Sequence, residues 1–92
     1  MRSNPSITLS PNPVENGAEY QIVCTGFTPD RWVTVGATFG DWVYWVSGLT
    51  NAVGSVTLSS TARGVGDILH TAKEQSRLRF LRDRASATLT VI

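Results

Sequence analysis

Short runs of alternating apolar and polar residues, separated by turn residues, make up most of this chain. Glycine, proline, asparagine and aspartate clusters interrupt the runs at short, fairly regular intervals. Alternation with period two predicts half-buried strands, and the runs predict seven of them. The predicted strands are 7–10, 19–25, 32–35, 42–47, 55–59, 67–73 and 85–92. This spacing is typical of an all-β sandwich or barrel.

The same alternation predicts which side chains form the core, because successive residues of a strand point to opposite faces. The residues predicted to face inward are Tyr20, Ile22, Cys24, Val33, Val35, Val56, Leu58, Ile68, His70, Ala72, Ala85, Ala87, Leu89 and Val91. Pro11 and Pro13 cannot donate to a ladder, so they mark an edge or a crossover.

The segment 67–85 allows two interpretations. It holds good helix formers, and Asp67 is a suitable N-cap. Its apolar residues form no clean stripe at helical spacing, and Gly66 suits a strand entrance equally well. We favour a strand followed by a long charged hairpin.

Composition fits one domain spanning residues 1–92. The chain has 41% hydrophobic and 16% charged residues and a net charge of +1, so neither nucleic acid nor a membrane is an expected partner. Cys24 is the single cysteine, which excludes an intrachain disulfide and suggests folding in a reducing cytoplasm. Neither a signal peptide nor an apolar run of transmembrane length is visible.

The stretch "ITLSPNPVENGAEYQIVCTGFTPDRWVTV", residues 7–35, carries a recognisable pattern. A proline corner ends the first strand, Gly17 precedes the second, and a Gly26-Phe27-Thr28-Pro29 corner leads into Val33-Thr34-Val35. This pattern resembles the immunoglobulin-like β-sandwich domains of bacterial surface proteins and phage structural proteins. The resemblance extends more loosely to "LTNAVGSVTLS", to Gly66 with the strand after it, and to "ASATLTVI".

The resemblance implies an antiparallel immunoglobulin-like sandwich of about seven strands without catalytic residues. Two departures stand out. No second cysteine can pair with Cys24. His70 occupies a position where the family has a Val-like residue, which indicates either an imperfectly buried face or a register shifted by one.

The stretch "DWVYWV", residues 41–46, is apolar on both faces, although a sandwich strand should show one face to water. One interpretation buries one aromatic set and caps the other with a loop. The other makes one set an interface anchor, since Trp and Tyr dominate binding hot spots. Val43 and Trp45 are the predicted core pair, which leaves Trp42 and Tyr44 as the predicted contact pair.

The stretch "RLRFLRDR", residues 77–84, combines four arginines with exposed apolar residues. Its simplest interpretation is a solvated loop with local Arg–Asp pairs. A second is docking on an acidic, partly apolar protein surface, which we rank above binding to a phosphate backbone. The predicted partner-binding residues here are Arg77, Arg79, Phe80 and Arg82.

Catalytic, cofactor and metal sites are not predicted. Cys24 and His70 suggest a nucleophile and base, but no third group orients the histidine, and a buried cysteine is usually a small hydrophobe. One Cys and one His cannot complete a metal site without several carboxylates, which are scattered. Gly64 to Gly66 lacks the Lys-Ser/Thr ending of a phosphate loop.

The expected function is therefore binding without catalysis. A free-standing sandwich without an export signal resembles phage virion proteins, above all decoration proteins on the major capsid protein lattice, and homo-oligomerisation is compatible with this. The alternative is a carbohydrate- or cell-surface-adhesion module of a larger exported protein, with Trp42 and Tyr44 stacking on sugar rings. An enzyme ranks third.

Overall fold

The computed structural model describes residues 5–74 and 84–92, which form seven strands and no helix. All strand pairs are antiparallel. The strands are β1 (Ser6–Ser10), β2 (Glu19–Thr25), β3 (Trp32–Phe39), β4 (Trp42–Leu49), β5 (Val56–Thr61), β6 (Gly66–Glu74) and β7 (Arg84–Val91). The seven predicted strands are confirmed, and the strand interpretation of 67–73 is correct. The charged hairpin tip lies outside the described residues.

The strands form two sheets, one of order β1-β2-β5 and one of order β4-β3-β6-β7. The prediction of an all-β two-sheet architecture is thus confirmed. The predicted strands 32–35 and 42–47 stop too early, because Gly36 and Gly48, which follow them, lie inside β3 and β4. The β3–β4 turn is instead the two-residue Gly40-Asp41, where Gly40 has a φ of 59°.

The core lies between the sheets and contains most of the residues that alternation assigned inward, together with Val14, Phe27 and Ala62 from outside the predicted strands. Ile22, Cys24, Val33, Val35 and Leu89 are almost completely buried. Val56, Leu58, Ala85 and Ala87 are partly buried and pack against them. Because the inward positions are dominated by β-branched and small side chains, the two sheets fit closely face to face.

The Gly-Phe-x-Pro corner between β2 and β3 is fixed by hydrogen bonds from three directions. Phe27 is buried, and its amide donates to the Gly54 carbonyl at 3.1 Å. The Thr28 amide donates to a carboxylate oxygen of Glu74 at 2.7 Å. The Thr50 hydroxyl donates to the Thr28 carbonyl, also at 2.7 Å. The corner therefore joins the β2–β3 and β4–β5 loops to the end of β6.

The proline segment after β1 carries the chain from one sheet to the other. Val14 forms a parallel bridge with Val91, in which the Ile92 amide donates to the Val14 carbonyl at 2.9 Å. The Asn12 side chain accepts from the Thr90 amide at 3.0 Å. Of the two sequence interpretations, edge or crossover, the crossover is correct, and it covers part of the outer edge of β7.

Candidate interaction surface on strand β4

Strand β4 lies at one end of the four-stranded sheet and pairs only with β3 within the described part of the chain. Directly opposed residues of an antiparallel pair share a sheet face. Trp42 lies opposite Phe39 and Tyr44 opposite Ala37, so both point toward the three-stranded sheet. Trp45 lies opposite Gly36 and points outward.

The predicted core pair of β4 was wrong. Val43 and Trp45 lie on the outer face, with 45% and 61% of their surface exposed. Trp42 and Tyr44 are exposed as predicted, by 66% and 46%, although they are on the inward face. All four side chains are therefore accessible, and β4 has no buried aromatic set.

The physical reason is the unequal width of the two sheets. Four strands face three, so the sheet that carries β4 extends beyond its cover. The cover ends at β5: a side-chain carbon added at Gly48 would lie 2.6 Å from Leu58 and 2.8 Å from Val56. Past this contact, toward the β3–β4 turn, the inward face of β4 opens to solvent at Tyr44 and Trp42.

The outer face of the same sheet carries an aromatic platform that the sequence reasoning missed. The six-membered ring of Trp45 lies across Gly36, where an added Cβ would be 2.8 Å from the ring. Beside it is a groove of about 250 Å³, lined by Gly36, Thr38, Val43, Trp45, Thr71 and Lys73. A glycine inside a strand marks close approach of another group, so Gly36 was the signal available in the sequence.

Further apolar side chains extend the outer face. Trp32 on β3, Leu49 on β4 and Leu69 on β6 are each about half exposed. They share the outer face with Trp45, because Trp32 opposes Leu49 and Leu69 opposes Thr38, a residue on the same side of β3 as Gly36. An exposed apolar surface rimmed by threonines and a lysine is typical of an interaction site.

Under Tyr44, the space between the sheets narrows to a cleft of about 40 Å³, which is room for a few water molecules. Its wall contains Tyr20, whose hydroxyl lies 2.7 Å from Nε2 of the fully buried His70. Nδ1 of His70 lies 3.1 Å from the Ile68 carbonyl. Because a carbonyl can only accept, Nδ1 carries the proton and Nε2 accepts from Tyr20.

His70 is therefore a satisfied core histidine, and both explanations offered for it, an open face or a shifted register, were wrong. Burial lowers the pKa of His70, against an opposing effect of its bond to the Ile68 carbonyl. Burial also raises the pKa of the Cys24 thiol to about 11, so the thiol is protonated at neutral pH. Neither group has the environment of an activated nucleophile or base.

The predicted basic contact residues, Arg77, Arg79, Phe80 and Arg82, lie outside the described residues. Their role in binding is still a prediction from the sequence. Among the predicted contact residues, the structure thus brings together Trp42 and Tyr44, on one face and at one end of β4.

Comparison with known proteins gives a fold likeness only. No family model and no curated protein matches the chain. Among solved structures, macromomycin superposes with a TM-score of 0.69 at 15% identity, covering 97% of this chain and 100% of macromomycin. At that identity the match supports the all-β architecture. In the described residues, no helix is long and apolar enough to cross a membrane.

Proposed function

We propose that this chain is a non-enzymatic structural protein of a phage virion, a decoration protein that binds and stabilises the major capsid lattice. The observation that carries the proposal is the edge strand β4, which displays Trp42, Val43, Tyr44 and Trp45 in one uninterrupted exposed run. The strand contains no charged residue. Interface cores are depleted in charge and enriched in Trp and Tyr.

The proposal includes an immunoglobulin-like sandwich, which three features support. The strand order β1-β2-β5 against β4-β3-β6-β7 corresponds to A-B-E against C′-C-F-G. The Gly-Phe-x-Pro corner lies between the B and C equivalents, where the resemblance requires it. The proline crossover of residues 10–14 follows the A equivalent.

The proposed mechanism is docking of a preformed surface. Trp42 and Tyr44 point past the edge of the smaller sheet, so they can enter a recess of a capsid subunit with little rearrangement of the domain. The arginines of 77–84 would contact acidic positions beside this recess. Binding across the joint between two subunits would add buried area to a contact that internal pressure strains.

The test is size-exclusion chromatography with light scattering, with the protein alone and then with empty capsids of the parent phage. Co-elution with capsids is expected, and Trp42→Ala combined with Tyr44→Ala should abolish it. An Arg77/Arg79 double change should weaken it. Trp32→Ala is the matched control, since it removes a half-exposed tryptophan at the opposite end of the sheet, on the other face. Capsid binding that is absent, or equally sensitive to Trp32→Ala, contradicts the proposal.

A second candidate, a carbohydrate- or cell-surface-adhesion module, is favoured by one observation. The groove beside Trp45 combines an exposed indole with the hydroxyls of Thr38 and Thr71 and the ammonium of Lys73. In this candidate function Trp45, rather than Trp42 and Tyr44, would stack on the sugar rings. Retardation on a polysaccharide matrix that Trp45→Ala abolishes, without capsid binding, would place adhesion first.

A further inference from the structure

Within the described residues, four strands lie at sheet edges, and β4 is the longest of them that lacks both proline and charge; β5 also lacks both but has six residues. β1 has five residues and lies between Pro5 and Pro11, and β7 is partly covered by the crossover at Val14. β4 has eight residues without proline or charge. Natural proteins normally block an exposed edge with lysine, proline, a bulge or a covering loop, because its free amides and carbonyls pair with other strands.

We propose that β4 pairs with β4 of a second copy of this chain, joining two four-stranded sheets into one of eight strands. This inference does not depend on the capsid assignment, because the contact would form in the isolated protein. Since both contacts use Trp42 and Tyr44, capsid binding would displace the second copy. The hydrogen-bonding edge supplies the pairing, and the side chains on both faces supply apolar contact on both sides of the joint.

Self-pairing fits the geometry of an isologous contact, in which each residue contacts residues of the same segment. An antiparallel edge contact has its two-fold axis perpendicular to the sheet, so outward residues oppose outward residues. An axis near Tyr44 and Trp45 places Trp45 opposite Trp45 or Val43. Since β4 is uncharged, no like charges from this strand meet across the axis. Aromatic and β-branched cross-strand pairs are the favourable ones.

The area available indicates a weak dimer. Trp42, Tyr44 and Trp45 are each between 46% and 66% exposed. Because a large aromatic side chain can bury about 150–250 Å², these three and their neighbours supply about 500 Å² per copy and about 1,000 Å² in total. That total is at the lower limit for specific interfaces. The dimer should therefore dissociate on dilution.

The first experiment is sedimentation velocity of the full chain over a wide concentration range. The mass should rise toward twice the monomer value at high concentration. Trp45→Lys and Trp45→Glu should each raise the dissociation constant by about tenfold or more, because like charges meet at the axis. An equimolar mixture of the two variants should associate more strongly than either variant alone, since it brings opposite charges together. A wild-type chain that is monomeric throughout overturns the proposal, as does a mixture that associates no more strongly than the separate variants.

The matched control is Trp32→Lys, on the same sheet face but one strand inside the edge. It should leave the dissociation constant within about threefold of the wild-type value, because an interior residue does not enter an edge contact. If Trp32→Lys abolishes the dimer as fully as Trp45→Lys, the copies pack face to face and edge pairing is wrong. Near-ultraviolet circular dichroism of each variant checks the fold.

Amide hydrogen exchange gives a readout specific to backbone pairing. The amides of residues 42–49 should exchange more slowly at high protein concentration, whereas the exchange rates of the β5 amides should be the same at every concentration. A concentration-independent rate at 42–49 overturns the proposal. So does protection at 42–49 that appears only with capsids, which would make the partner of this edge a virion protein. Capsid binding that fails while the dimer persists would contradict the proposed function alone.

Discussion

Acidification tests the buried Tyr20–His70 pair, because His70 is the only histidine of the chain. In the native state its imidazole is fully buried and accepts a hydrogen bond from Tyr20. Protonation turns Nε2 from an acceptor into a donor, so the Tyr20 hydroxyl would have to reorient. It also places an unpaired positive charge in the core, which burial disfavours.

The sign of the effect follows from the direction of the pKa shift. Burial lowers the pKa of His70 in the folded chain, whereas in the unfolded chain a histidine titrates near about 6.5. Below that pH the unfolded state binds more protons, so the free energy of unfolding decreases as the pH falls. The full stability is present above about pH 6.5, and the decline ends once the pH passes the lowered folded-state pKa.

The loss of unfolding free energy has an upper limit, because His70 takes up only one proton. The slope cannot exceed about 1.4 kcal/mol per pH unit, and the loss between about pH 8 and pH 5 is at most about 2 kcal/mol. For a domain of this size, each kcal/mol corresponds to a shift of about 4–8 °C in Tm. The loss is therefore measurable against a typical total of about 5–15 kcal/mol.

The assay is urea unfolding at several pH values between about 5 and 8, the range where a histidine titrates and unperturbed carboxylates do not. The control is the double variant Tyr20→Phe with His70→Leu, which replaces both hydrogen-bonding partners together with apolar groups. Its free energy of unfolding should be nearly constant over this range. A wild-type profile as flat as that of the double variant would refute the reasoning.

Two further predictions concern a glycine of the β4–β5 loop and the single cysteine. Gly54→Ala should lower the free energy of unfolding by about 3 kcal/mol or more, because φ is +79° and the new Cβ would overlap the Phe27 carbonyl oxygen. The control is Gly17→Ala, at a φ of +91° with open space around it, which should lower the free energy of unfolding by only about 1–2 kcal/mol. If urea titrations give the same loss for both variants, the predicted overlap at Gly54 is wrong. Cys24, buried and with its pKa raised to about 11, should resist thiol reagents at neutral pH until the chain unfolds. Rapid labelling of the native protein, followed by mass spectrometry, would contradict this.

The sequence by itself determined the seven strands and most of the core. Period-two alternation is a local property of each strand, so it predicts that residues such as Ile22 and Leu89 are buried even when the partner sheet is not known. The corner at Gly26 and Phe27 could also be predicted from the sequence, because turn formation depends on a few adjacent residues.

Only the tertiary structure decided the environment of the candidate surface. Alternation divides β4 into two sets, but it does not say which set faces the other sheet or whether that sheet reaches far enough to cover it. Trp42 and Tyr44 face inward and are still exposed, because three strands cannot cover four. The cover of an edge strand is set by strand order, which depends on contacts between residues distant in the chain.

The same distinction applies to Gly36 and His70. Each departs from the local rule for its strand, one by lacking a side chain and the other by placing a polar ring in the core. Each is explained by one distant partner: Trp45 lies across Gly36, and the Tyr20 hydroxyl satisfies His70. Neither partner follows from local pattern, because a hydrogen bond or a ring contact between strands requires the register and facing of the sheets to be fixed first.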